Sequence, residues 1–313
     1  MKKSFEDLLD RELIPASPEI IASVFDAVDT DMTAARTILN ALTQAGQKML
    51  PPFPGTIEKF QAPGLDHDPE IDVITYRQQE AENPDAALIW LHGGGHIMGT
   101  AEDSTLLPFA KIATVFSVEY RLSPEHPEPC AVRDACAVID YIAKNAGDLN
   151  IDPAKIIIGG MSGGAGVATG AAMMNRDRNG PALKAQFLLS AMLDDRHDKP
   201  SAYLDVPRWA WTRETSLKAW QLYSNVAPPS PYAAPMRAED LSGLPQAYLS
   251  VGSLDIFRDE VITYAQKLLN ASVAADVALF AGAHHGFEVA APMANVSMRA
   301  IANHQSVLRK FCQ

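Results

Sequence analysis

The sequence predicts an α/β protein with a mostly parallel central sheet covered by helices on both faces. Two observations carry this reading. Short apolar runs alternate with longer amphipathic helical stretches along most of the chain. The central runs are apolar at every position rather than every second one, as strands buried on both faces must be. Composition agrees: 313 residues, 47% apolar and 20% charged, are ordinary globular values for one large domain or two modest ones.

The elements follow in order. Ile20, Ile21, Val24, Phe25 and Val28 fall at helical spacing, and Met32, Ala35, Ile38, Leu39 and Leu42 continue it, so the first fifty or so residues read as helical. Pro51-Pro52-Phe53-Pro54-Gly55 then forbids further helix. Strands are expected over residues 71–76, 86–91, 114–118, 155–158, 186–189, 247–251 and 277–280, and helices over 131–144, 164–174, 259–269 and from 296 to the end. The stretch 194–231 breaks the alternation; it holds Trp209, Trp211, Trp220 and Tyr223 and a helix near 215–223. It reads as an insertion. We therefore expect one domain over 1–313, with residues from about 1–50 and 194–231 forming a lid over the carboxyl ends of the strands, its aromatic residues closing a ligand cavity.

Charge and cysteine usage exclude several classes. Lys+Arg 26 against Asp+Glu 38 leaves a net charge of −12, which argues against nucleic-acid and anionic-membrane binding, since both depend on a basic face. Cys130, Cys136 and Cys312 cannot all pair and show no zinc-site spacing, so they read as reduced thiols of a cytoplasmic protein. The segment from Met1 to Arg11 lacks the basic head and apolar run of a signal peptide, and the longest apolar runs are too short to span a bilayer.

The chemistry concentrates at the ends of expected strands. Gly160-Met161-Ser162-Gly163-Gly164 fits Gly-x-Ser-x-Gly, a pattern that alone arises by chance in about one chain in ten of this length. Its setting raises it: a strand precedes it and a helix follows, as in a nucleophile elbow. The competing reading, a phosphate-cradling turn, lacks both the dinucleotide glycine spacing and a Lys-Ser/Thr pair. His92-Gly93-Gly94-Gly95 follows another strand, and its glycines let backbone N–H groups approach a substrate oxygen. The residue after the nucleophile, Gly163, supplies the usual companion donor. His92 and His96 share a zinc-like spacing, but three intervening glycines make the required helix implausible. The acid 66–70 stretch reads as a solvated loop rather than a cation site, and His67, His126, His197 and His304 need only surface or structural roles.

A serine nucleophile needs a base and an acid that orients it. Asp255 lies in a loop after the 247–251 run, whereas Asp259 and Glu260 sit where the next helix begins and read as first-turn acids. His284 and His285 both follow the 277–280 run, and their order alone does not separate them.

After about residue 70 the chain resembles the hormone-sensitive-lipase-like (type IV) carboxylesterases of the α/β-hydrolase superfamily. The resemblance rests on His92-Gly93-Gly94-Gly95, the run from Tyr120 through Arg121, Ser123, Pro124, Glu125 and His126 to Pro127, Gly160 to Gly164, Leu241-Ser242-Gly243-Leu244-Pro245, Asp255 with Arg258-Asp259-Glu260, and His285-Gly286-Phe287. It implies an α/β-hydrolase fold with a helical cap. It also implies a triad of Ser162, Asp255 and His285, oxyanion donors at Gly93, Gly94 and Gly163, and a supporting role for Glu125. No metal and no cofactor is implied; the partner is a small-molecule ester, and a homodimer is left open. Two residues depart from the family pattern: Met161 stands where an acidic residue or threonine is usual, and Gly163 where alanine is usual. The expected activity is hydrolysis of short- to medium-chain acyl esters. The rivals are a serine hydrolase of another bond, an acyltransferase, and a binding protein on the same scaffold, which typically lacks a triad member.

Overall fold

The computed structural model describes residues 4–224 and 226–313, apart from the side chain of Met49, so the first three residues of the segment from Met1 to Arg11 lie outside the described residues. Its strands are β1 (Gly55–Ala62), β2 (Ile71–Gln78), β3 (Asn83–Leu91), β4 (Ala113–Val118), β5 (Ile156–Met161), β6 (Ala185–Leu189), β7 (Ala247–Gly252) and β8 (Ala275–Phe280). They form one sheet in the order β1-β2-β4-β3-β5-β6-β7-β8. From β4 onward every neighbour is parallel, while β1–β2 and β2–β4 are antiparallel. This is an α/β-hydrolase fold. β1 was not expected, because as an edge strand it carries Thr56, Glu58, Lys59 and Gln61 and is exposed over most of its length, leaving no apolar run to read.

The helices are α1 (Phe5–Leu8), α2 (Pro18–Thr30), α3 (Met32–Met49), α4 (Leu107–Ala110), α5 (Cys130–Lys144), α6 (Gly163–Asp177), α7 (Arg213–Tyr223), α8 (Arg258–Asn270), α9 (Phe287–Ala290) and α10 (Asn295–Phe311). Alternate strand residues feed two cores. Ile89, Ile158, Leu188 and Leu249 pack against Val132 of α5, Val167 of α6 and Tyr264 of α8. Their neighbours Trp90, Ile157, Phe187 and Tyr248 pack on the other face against Phe109 of α4 and Phe311 of α10. The apolar runs are therefore continuous because both faces are covered.

The amino-terminal helices start and stop where local chemistry dictates. Pro18 occupies the first turn of α2, the Asp31 carboxylate accepts the Ala34 N–H at 3.0 Å to cap α3, and α3 ends just before Pro51 and Pro52. α2 packs on α7, with the Phe25 ring edge-on to Trp211 at 5.5 Å and Asp26 paired with Arg208. Arg36 of α3 ties this layer to the body. It donates to the Ile97 carbonyl at 2.8 Å and the Ser123 carbonyl at 2.7 Å, and it forks onto both carboxylate oxygens of Glu125 at 2.9 and 2.8 Å. The insertion is closed by buried Glu128, which accepts from Ser224 and Ser230 at its far end. Asp66 and Asp68 are not simply solvated: Arg133 binds both, and Arg121 bridges Asp68 to buried Asp134.

Arg36→Ala should lower unfolding free energy by about 1–2 kcal/mol, since two backbone carbonyls lose a charged donor. Arg36→Lys should recover only part of that, because an ammonium cannot reproduce the planar fork. Denaturant titration of the three proteins tests this, and full recovery by lysine would refute it.

Candidate active site

Parallel strands end on the same edge of a sheet, so the loops after β3, β5, β7 and β8 converge although residues 92 and 285 are far apart in the chain. β5 turns into α6 within one residue. Ser162 sits at that corner with φ 56° and ψ −122°, a backbone conformation unfavourable for any residue bearing a Cβ. Its N–H donates to the Leu189 carbonyl at 2.8 Å and its own carbonyl accepts the Met192 N–H at 3.1 Å, which fixes the corner to the β6 end.

The corner is crowded. A Cβ at Gly164 would lie 2.1 Å from the Leu91 carbonyl oxygen and 2.2 Å from that of His92. At Gly163 it would lie 2.8 Å from the His96 nitrogen and 2.9 Å from Gly95 Cα. This accounts for glycine where alanine is usual: the glycine-rich loop stands against the elbow too closely for a methyl group. Tyr120 braces that loop by donating to the His92 carbonyl at 2.7 Å and stacking on the His92 ring at 4.3 Å.

Three side chains meet over the corner. The Ser162 hydroxyl stands 2.9 Å from His285 Nε2, and His285 Nδ1 stands 2.8 Å from Asp255 Oδ2. With its proton on Nδ1, the imidazole donates to Asp255 and accepts from Ser162. Asp255 is fully buried, and its other oxygen accepts the Phe257 N–H at 2.9 Å. The Phe257 ring is set edge-on against His285 at 5.0 Å. His284 turns away instead. Its Nδ1 lies 2.8 Å from the His285 carbonyl and its Nε2 3.0 Å from that of Leu13, with Trp209 edge-on to its ring.

A cavity of about 220 Å³ opens above these groups, lined among others by Gly93, Gly94, Met161, Ser162, Trp211 and His285. The expected aromatic lining needs correction. Trp211 faces the cavity, but Trp209 packs on His284, while Trp220 and Tyr223 pack around the His96 ring, with Tyr223 stacked on it at 4.0 Å. Met161 reaches toward Gly286, beside His285.

His92 and His96 do not form a metal centre. Each ring is stacked on a tyrosine, and among the described residues no group of three metal-ligating side chains occurs. Burial pushes His96 down to about 3, so it is neutral. His197 and His304 are buried, not superficial; His304 bonds Tyr248 at 2.8 Å and Glu288 at 3.2 Å.

Of the two competing acids, Asp259 is indeed a paired acid in the first turn of α8, bound to Arg258 and to the Ser201 N–H. Glu260 is different. It is buried, accepts the Leu193 N–H at 2.8 Å, and burial holds its carboxyl well above the usual range, with Asp194 and Asp255 adding like charge. The signal was available: Glu260 shares a helix face with Tyr264 and Leu268, both buried. Arg36 and Leu13 carried no comparable mark, because their partners lie far away in sequence.

A family model described as the alpha/beta hydrolase fold matches residues 88–289. The chain is 34% identical over 209 residues to esterase LipI of Mycobacterium tuberculosis, spanning 63% of each protein. It is 30% identical over 275 residues to carboxylic ester hydrolase LipN of the same organism, covering 83% of this chain and 71% of LipN. A solved structure described as a bacterial heroin esterase superposes with a TM-score of 0.87 at 34% identity, covering 98% of both chains.

Glu260 generates a pH prediction. A carboxyl whose folded pKa is raised contributes stability in full below its unfolded value and loses it as pH rises toward the folded one. Wild-type stability referred to this group therefore falls above the ordinary 4.5 of glutamate. Glu260→Gln keeps the acceptor for Leu193 and removes the titration. Its Tm relative to wild type should climb as pH rises above the ordinary 4.5 of glutamate; a difference that stays flat in thermal scans would exclude this assignment.

Proposed function

Because this chain belongs to the hormone-sensitive-lipase-like carboxylesterases of the alpha/beta hydrolase fold and is a carboxylic ester hydrolase, we propose that it cleaves short- to medium-chain acyl esters through Ser162, His285 and Asp255 by way of an acyl-enzyme. The observation that carries this reading is the unbroken relay from Asp255 through His285 to the Ser162 hydroxyl at 2.8 and 2.9 Å, opening on a lined cavity.

Ser162 Oγ attacks the ester carbonyl carbon while its proton passes to His285 Nε2. Asp255, desolvated and already bonded to Nδ1–H, orients the ring and stabilises the imidazolium without taking its proton. The carbonyl oxygen becomes an oxyanion, for which the N–H groups of Gly93, Gly94 and Gly163 are the proposed donors. Gly163 opens α6, where N–H groups have no intrahelical acceptor and the helix dipole favours negative charge. Collapse of the intermediate expels the alcohol, which takes the proton from His285. Water then attacks the acyl-enzyme with His285 again as base, and a carboxylic acid leaves with Ser162 restored. Every group in this sequence is a side chain or a backbone N–H, so no cofactor is called on.

The same reading places a small-molecule ester as partner and a cytoplasmic setting, supported by three free thiols; burial pushes those of Cys136 and Cys312 up to about 12. Among the described residues no helix is long and apolar enough to cross a membrane.

Ser162→Ala should abolish ester hydrolysis with circular dichroism unchanged, because loss of a nucleophile costs many orders of magnitude. His285→Ala should match it, whereas His284→Ala should lose no more than about tenfold, since His284 supports the loop without touching the serine. The reverse ranking of the histidines in kcat would overturn the assignment.

Each methylene accommodated should add about 0.8 kcal/mol of burial, close to fourfold in kcat/KM. The modest cavity limits that gain. On p-nitrophenyl esters from acetate to palmitate, kcat/KM should peak at short to medium chains, and a rate still climbing at palmitate would contradict the closed cavity.

A further inference from the structure

Two clefts adjoin the catalytic cavity. Glu102 lines it and also lines two neighbouring clefts of about 390 and 430 Å³, against about 220 Å³ around Ser162. Thr100 is common to the cavity and the first cleft, and Asp103 to the cavity and the second. An ion pair stands at this junction, with Lys59 Nζ 2.8 Å from Glu102 Oε1. Lys59 lines both clefts but not the catalytic cavity. The second cleft is largely apolar, walled by Leu50, Pro51, Phe53, Ile57, Ile74 and Leu107. Leu50 and Ile57 remain 43% and 50% exposed.

The backbone of Glu102 is held, but its side chain is held only lightly. Its N–H donates to Thr100 Oγ at 3.0 Å, and Gln47 near the end of α3 donates to its carbonyl at 2.7 Å. The carboxylate is bonded to Lys59 alone, and the two side chains are 50% and 66% exposed. Ion pairs so exposed are weak and are screened by salt. A fixed backbone carrying a loosely paired side chain between adjoining cavities has the construction of a gate.

We infer that the Lys59–Glu102 ion pair terminates the acyl cavity and thereby sets chain-length preference, and that a chain which parts it runs on into the apolar cleft between β1 and the end of α3. This rests on the proposed esterase reading. With the pair closed, a further methylene meets two hydrated charges and gains no burial. With the pair removed, each methylene entering the cleft leaves water and should add about fourfold to kcat/KM.

The test compares p-nitrophenyl acyl esters from acetate to laurate on wild type, Lys59→Met and Glu102→Gln. Lys59→Met should keep acetate hydrolysis within about twofold of wild type, since Lys59 does not border the cavity, and should move the maximum by at least about two carbons toward longer chains. Glu102→Gln should move it the same way, and the charge exchange Lys59→Glu with Glu102→Lys should restore the original maximum. Raising sodium chloride to about 0.5 M should shift wild type but not Lys59→Met. An unchanged maximum in both single variants, an even loss at all chain lengths, or a shift confined to an alkyl acetate series would overturn the gate. Acetate hydrolysis that survives Ser162→Ala would instead overturn the proposed serine mechanism on which the inference rests, so the two failures are separable.

Discussion

Everything at this site depends on a steric constraint at the end of β5. The strand must become α6 within a single residue while the loop after β3 lies against the turn. The residue at the corner takes a positive φ, and the two residues after it are glycine because the Leu91 and His92 carbonyls and the His96 N–H occupy the space of their Cβ atoms. The strain is held by the surrounding sheet: Ser162 is bonded through its N–H to β6 and through its carbonyl to Met192. The same crowding brings the glycine-rich loop beside Ser162. The proposed nucleophile and the proposed oxyanion donors thus owe their positions to one packing arrangement.

Charge is handled in two ways around this corner. Asp255 is buried yet bonded to both His285 and the Phe257 N–H, so its negative charge has partners. Glu260, buried nearby, has no cationic partner among its bonds, and burial pushes its carboxyl well above the usual range, with the charges of Asp194 and Asp255 acting in the same direction. Its carboxyl anchors the Leu193 N–H, and through that segment the residues following β6 that meet the elbow. Histidines show the same economy: His96 is kept neutral by burial, while His285 retains access to the cavity.

The helical layer over the strand ends is attached through specific contacts. Arg36 joins α3 to the loops bearing His96 and Ser123, Phe25 meets Trp211, and Glu128 closes the insertion on itself. Leu13 binds His284, so the amino-terminal segment also steadies the loop that carries His285. The cavity is consequently bounded by a rigid strand edge on one side and by separately tethered helices on the other.

The sequence by itself determined the α/β class, because strands buried on both faces must be apolar throughout, and it determined the elbow and glycine-rich loop, because their residues are neighbours in the chain. It left His284 and His285 unresolved until a family resemblance was invoked, missed β1, and assigned four aromatic residues to a cavity that only Trp211 faces. Those matters were decided by tertiary structure. Which of two adjacent histidines meets a serine more than a hundred residues away depends on the direction of a loop, and that direction is set by the Leu13 and Leu254 contacts. β1 forms because β2 offers it an edge, not because its own residues demand burial. The upward shift of the Glu260 carboxyl likewise follows from the neighbours that enclose it. Local pattern specifies what the backbone does; which distant groups meet, and with what charge, is fixed only when packing removes water from between them.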